Sequence, residues 1–226
     1  MMLCRHYIVV ALLASLALAG SLPGSVGAQQ ALPLSPAQVA LFETPHLDGI
    51  RAPIRLDYVF RREEEGRETV EDRITLEIRA VNPDGRHDVH PEFLTGERRI
   101  PYPSALGFRG NPLPMFALDR DTRELAAATG GSAIWFRGRV RQALVDQATL
   151  RETTLQQPGG SAAAVEIELA PFRNEPRAGR YQERLYHFVL SAAVPGGIAE
   201  IRTSLPAGEG RGAVSETILY AGSRPQ

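Results

Sequence analysis

The sequence predicts a mainly β, α+β domain in which seven to eight antiparallel strands surround one helix pair. Three observations predict it. Apolar residues recur at every second position before residue 95 and again after residue 149, the period of a strand with one buried face. Between those regions the apolar spacing changes to four, which is the period of a helix. Proline and glycine clusters punctuate the strands at short intervals, and no segment repeats.

The chain opens with Arg5 and His6, an apolar run from Ile8 to Ala19, and the small residues Val26-Gly27-Ala28. This is the three-part pattern of a secretory signal, so residues 1–28 are expected to be removed near Ala28. Gly20, Pro23 and Gly24 cut the apolar run short of the roughly 20 residues a membrane-spanning helix needs. The alternative is an uncleaved anchor. A periplasmic or secreted, soluble protein of residues 29–226 is expected, as a single globular domain with a core large enough to need no disulfide.

Ser35 caps a short entry helix over Pro36 to Phe42. Leu56, Tyr58 and Phe60, then Ile74, Leu76 and Ile78, define a hairpin turned by the polar run Arg61 to Glu68. Asn82-Pro83-Asp84-Gly85 turns the chain into a third strand, so that strands are expected at about 54–63, 69–81 and 86–94. Pro91 cannot donate to a ladder and places that strand at an edge or a bulge. Residues 95–110 are rich in turn formers and are expected to form a long surface connection. Asn111 before Pro112 starts a helix over Leu113 to Ala128 that stops at Gly130-Gly131, and Ser132 starts a second to about Val145. Strands resume with Val165, Ile167 and Leu169, then Tyr186, Phe188 and Leu190. The segment Ile198 to Leu205 and the alternation Val214, Glu216, Ile218, Tyr220 close the chain.

Composition excludes several chemistries. All 25 basic residues are arginine, and Cys4, inside the signal, is the single cysteine. Schiff-base catalysis lacks its lysine, and thiol catalysis or thiolate metal binding lacks its cysteine. Loss of Arg5 leaves 24 arginines against 26 carboxylates, so no phosphate-binding surface is advertised and no nucleic-acid partner is expected. The segments Gly130-Gly131-Ser132-Ala133-Ile134 and Gly159-Gly160-Ser161-Ala162-Ala163 both lack the second glycine of a nucleophile elbow. No catalytic motif is found, and no catalytic residue is expected.

In His87-Asp88-Val89-His90-Pro91-Glu92, the residues Asp88, His90 and Glu92 share one strand face and offer nitrogen and oxygen ligands. A solvated sheet face shows the same alternation, and no second histidine group completes a site, so no metal or other cofactor is expected. Glu63, Glu64 and Glu65 fall in a turn, and Asp119 and Asp121 on the expected exposed side of a helix, where solvated charge explains them. Arg137, Arg139 and Arg141 are expected to pair with Asp119, Asp121 and Glu124 or to line the way to an anionic ligand. The helix pair is rich in apolar residues. Core packing against the sheet explains this, as does a pocket for a hydrophobic small molecule or lipid whose ligand-binding wall is Met115, Phe116, Trp135, Phe136 and Val140.

The opening strand Leu56-Asp57-Tyr58-Val59-Phe60, the meander that follows and a helix pair inserted mid-sheet together resemble the LolA/LolB-like group of bacterial periplasmic proteins. The resemblance covers most of the mature chain by order of elements. It implies a strongly curved antiparallel sheet, in effect a half-barrel, with the helix pair packed on its concave face. It implies a carrier of lipid-bearing cargo, and brings no residue of a site with it. A scaffolding protein of the cell envelope, meeting a partner through the edge near Pro91 or residues 95–110, is the alternative.

Overall fold

In the computed structural model, residues 33–51, 53–208 and 210–226 are described, and Leu34–Gln226 form one compact unit. The expected export signal lies outside the described residues. Ser35 and Gln38 cap each other at the start of a short helix, α1 (Pro36–Gln38), which continues as a π turn over Val39–Glu43. The Ser35 hydroxyl also donates to the Leu144 carbonyl at 2.6 Å, tying this entry arm to the later helix pair.

Strands β1 (Ile54–Glu64), β2 (Val70–Val81), β3 (His87–Phe93) and β4 (Ala105–Phe108) form a meander. Two helices follow, α2 (Leu113–Thr129) and α3 (Ala133–Asp146). A second meander, β5 (Thr149–Gln157), β6 (Gly160–Leu169), β7 (Leu185–Leu190), β8 (Ile198–Leu205) and β9 (Val214–Pro225), then returns to the start. Antiparallel pairing of β9 with β1 joins the two into one open sheet of order β4-β3-β2-β1-β9-β8-β7-β6-β5. The helix pair therefore connects one edge strand to the other.

The strand count is nine, where the sequence reading gave seven to eight. Two strands have no alternation named above: β4, the segment Ala-Leu-Gly-Phe inside the expected 95–110 connection, is only four residues long, and the edge strand β5 buries no residue. The first turn is shorter than expected, because β1 runs through Arg62 to Glu64. The β2–β3 register slips between Ile78 and Ala80, but the extra residue there is Arg79 of β2, and Pro91 keeps regular register with Leu76. Since β4 pairs only with His87 and Val89, Pro91 lies at a local edge, where no β4 residue needs its missing donor.

Asn111 starts α2 as expected, its Oδ1 accepting from the Leu113 amide at 3.0 Å while its Nδ2 donates to the Gly196 carbonyl at 2.8 Å. Gly130, at φ 66°, ends the helix in the left-handed region. Ser132 occupies the N-cap position of α3 without a side-chain cap bond.

Leu56, Tyr58 and Phe60 of β1, Ile74, Leu76 and Ile78 of β2, Val89 and Phe93 of β3, and their counterparts on β6 to β9 share one core with both helices. Nine strands at about 4.8 Å span some 38 Å, while two packed helices cover about 20 Å. One common core therefore requires the sheet to curve around the pair.

The opposite sheet face is charged. On it, His187 contacts Glu166, with Glu200 3.6 Å from its Nδ1. The Glu200 carboxylate raises the imidazole pKa above its ordinary value; burial opposes this, and Glu166 adds to the rise. The resulting stabilisation is fully present below the unfolded-state pKa of about 6.5 and is lost as pH rises through the folded value. An NMR titration is expected to place the His187 midpoint above 6.5 and to move it down in Glu200→Gln; a wild-type midpoint at or below 6.5 would refute this.

Candidate functional site

At the end of the sheet carrying the β1–β2 and β8–β9 turns, the inner face changes from apolar to charged. The period of two carries the change: Phe60 is followed in phase by Arg62, Ile218 is preceded by Glu216, and Tyr186 is preceded by Arg184. Arg62 and Glu216 are direct partners across β1 and β9. Above them, α2 contributes Arg120, Asp121 and Glu124.

Glu216 organises the group. Its carboxylate accepts from Arg62 at 2.8 Å, from Arg120 at 3.0 and 3.2 Å, and from Arg184 at 3.4 Å. Burial alone would raise its pKa, but the hydrogen bonds and charge of Arg120, with Arg184 and Arg62, outweigh it and hold the carboxyl at about 2. Asp121 receives Arg184 and the Tyr186 hydroxyl. Asp121 is only 3% exposed, which corrects the expectation that it lies on the outer side of its helix. α2 crosses the charged end of the sheet there, so Arg120, Asp121 and Thr122 all turn inward. Glu124 lies 2.8 Å from Arg120, yet burial is the larger influence and its pKa is raised.

Beside this network lies a cavity of about 910 Å³ between the second half of α2, the strand ends and the turn region around Arg180 to Arg184. Leu125, Ala127, Ala128, Leu205 and Val214 form apolar stretches of its wall. Five arginines, Arg62, Arg67, Arg180, Arg184 and Arg211, line it with four carboxylates, Glu64, Glu65, Asp121 and Glu124.

The five residues named from the sequence as a ligand-binding wall lie elsewhere. Phe116, Phe136 and Val140 are in the core, where Phe116 stacks on Tyr102 at 4.6 Å between ring centres. Trp135 is half-buried, edge-on to Phe136 at 4.8 Å and 5.0 Å from the Arg177 guanidinium. Met115 is 44% exposed. The structure thus brings Trp135 and Phe136 together, sets Phe116 and Val140 in the same core, and leaves Met115 outside. None of the five lines the 910 Å³ cavity.

The Asp88, His90 and Glu92 face is occupied by local partners. Asp88 accepts from the Gly107 amide at 2.9 Å, His90 Nδ1 is 2.7 Å from the Ser104 hydroxyl, and Glu92 is 3.9 Å from Arg73. His87 is buried beneath, 3.3 Å from the Ile50 carbonyl. Among the described residues, no group of three or more histidine, cysteine, aspartate or glutamate side chains is placed to hold a metal ion. Of the arginines on α3, Arg137 pairs with Asp119 at 2.6 Å and Arg139 with Glu175 at 2.6 Å.

No family model matches the chain, and no curated protein matches it. Among solved structures it is similar to the Mycobacterium tuberculosis lipoprotein LppX, at 10% identity and a TM-score of 0.32, over 74% of this chain and 84% of that one. It is also similar to a LolA superfamily protein from Nitrosomonas europaea, at 10% identity and a TM-score of 0.25, over 84% and 93% of the two chains. Among the described residues, no helix is long and apolar enough to cross a membrane.

Proposed function

We propose that this chain is a non-enzymatic binding or carrier protein, exported to the periplasm or secreted, that holds a hydrophobic, lipid-like molecule between the helix pair and the sheet. The observation that carries the reading is the 910 Å³ cavity under the second half of α2, whose size falls in the ~300–1,000 Å³ range of ligand pockets. Its apolar wall of Leu125, Ala127, Ala128, Leu205 and Val214 suits a hydrocarbon segment. Met115, Phe116, Trp135, Phe136 and Val140, read from the sequence as the pocket wall, lie outside this cavity, and Phe116, Phe136 and Val140 serve as core beneath the pair. Native mass spectrometry of the mature protein from a periplasmic fraction is expected to show an added mass of lipid size. A bare protein mass that also fails to bind a fluorescent fatty acid would sink the reading.

The second reading is a scaffolding role in the envelope through protein contacts. It is favoured by β5, a nine-residue edge strand paired on one side only among the described residues. Pull-down from envelope extracts with no reproducible partner would count against it.

A further inference from the structure

The cavity that supports the carrier reading is not a plain apolar pocket, and its arginines differ in how completely they are used. Arg62 is held by Glu64 at 3.3 Å and Glu216 at 2.8 Å, and Arg67 by Glu64 at 3.1 Å. Arg184 is used on one side. Its bonds to Asp121, Thr203 and Glu216 all run through Nη2, while its Nε is buried without a partner among the described residues, and the residue is only 5% exposed. A buried guanidinium donor without an acceptor is costly to leave unmade. Arg180, on the same cavity wall, donates from Nη2 to the carbonyls of Gly212 at 3.1 Å and Pro206 at 3.5 Å, and its Nε is also buried without a partner among the described residues. It has no carboxylate partner among the described residues.

Among the described residues, the four carboxylates that line the cavity are already engaged. Asp121 is taken by Arg184 and Tyr186, Glu64 by Arg62 and Arg67, Glu124 by Arg120, and Glu65 accepts from the Ala213 amide at 3.2 Å. The Nε donors left without acceptors among the described residues of this cavity belong to Arg180 and Arg184, and the same cavity carries the apolar wall of Leu125, Leu205 and Val214.

We propose that Arg184 and Arg180 form an anion subsite that takes the negatively charged headgroup, a carboxylate or phosphate, of an amphiphile whose hydrocarbon part lies along Leu125, Leu205 and Val214. The proposal rests on the carrier reading and narrows its ligand class to anionic amphiphiles. A planar guanidinium with two donors on one edge matches the oxygens of either headgroup.

The test titrates the mature chain at pH 8 with cis-parinaric acid, a fluorescent fatty acid, and with its methyl ester, which has the same hydrocarbon and no charge. The acid is expected to bind about tenfold more tightly than the ester, the effect of one charge-assisted contact. Arg180→Gln, which removes no carboxylate pair, is expected to reduce that gap to about threefold or less without weakening the ester. Arg184 is a poorer test position, because its loss leaves Asp121 buried without its guanidinium partner and takes one of three arginines from Glu216. Equal affinity for acid and ester overturns the anion subsite and leaves the carrier reading standing. If neither probe binds, the carrier reading falls. The thermal midpoint in inorganic phosphate then decides the subsite: a rise in wild type that Arg180→Gln abolishes keeps it as a site for a free anion, and no rise overturns it as well.

Discussion

Glu216→Ala is expected to destabilise the protein by about 3–5 kcal/mol, the cost of breaking a buried charge group by removing one partner. Three guanidinium groups converge on this carboxylate, and two of them, Arg120 and Arg184, are themselves buried. Alanine removes their shared acceptor and leaves positive charges facing one another away from water. Arg62→Gln is expected to cost less, because Arg62 is partly solvated and Glu216 retains two arginines. The pH dependence has a definite sign. The folded pKa of Glu216 is depressed to about 2, so its contribution is present above the unfolded value near 4.3 and is lost as pH falls toward 2. Urea unfolding at pH 7 and at pH 3 measures both effects. A loss under about 1 kcal/mol in Glu216→Ala at pH 7 would mean that solvent reaches the cluster and screens it.

Phe136→Ala is expected to cost about 3–5 kcal/mol of stability, the range for truncating a buried phenylalanine. Phe136 is 1% exposed and meets Phe172 edge-on at 5.2 Å, and Phe172 continues the aromatic contact to Tyr186 at 6.1 Å. The gap left by the ring opens in this aromatic cluster, between the first turn of α3 and Phe172. The same variant separates two roles for the helix pair. A core residue loses stability at unchanged ligand affinity, whereas a pocket wall loses affinity at nearly unchanged stability. The geometry predicts the first, and paired urea and cis-parinaric acid titrations of Phe136→Ala read both quantities.

The strands with clean alternation were legible because burial on one face imposes a period that survives any strand order. Leu56 to Phe60 and Ile74 to Ile78 needed no partner to be recognised. The helix limits followed from Asn111, Pro112 and Gly130, whose backbone requirements are local. β4 was hidden because it is held by pairing with β3 and not by its own four residues. The charged cavity left a partial trace: Arg62, Arg184 and Glu216 each continue an apolar phase by one step, so each was bound to face inward. What the chain does not display is that all three phases end at the same edge of the core, since that depends on β9 returning to lie beside β1. Asp121 was misplaced for a related reason. A helix face rich in charge is the solvent face unless something charged lies opposite, and here it does.

The pairing of β1 with β9 has a consequence for how the sheet is completed. Ile54 meets Pro225, and Glu64 meets Val214, so residues near the two ends of the folded unit form its middle seam. Every other strand pair joins close neighbours in sequence, and these hairpins are able to form early. The seam has the longest loop to close and gains nothing until the final strand exists. Until then each meander ends in an open rim, β1 on one and β8 on the other, and Glu216, the acceptor that Arg120 and Arg184 share, is missing from both. β9 thus supplies, in one step, the strand that joins the halves and the carboxylate that Arg120 and Arg184 share.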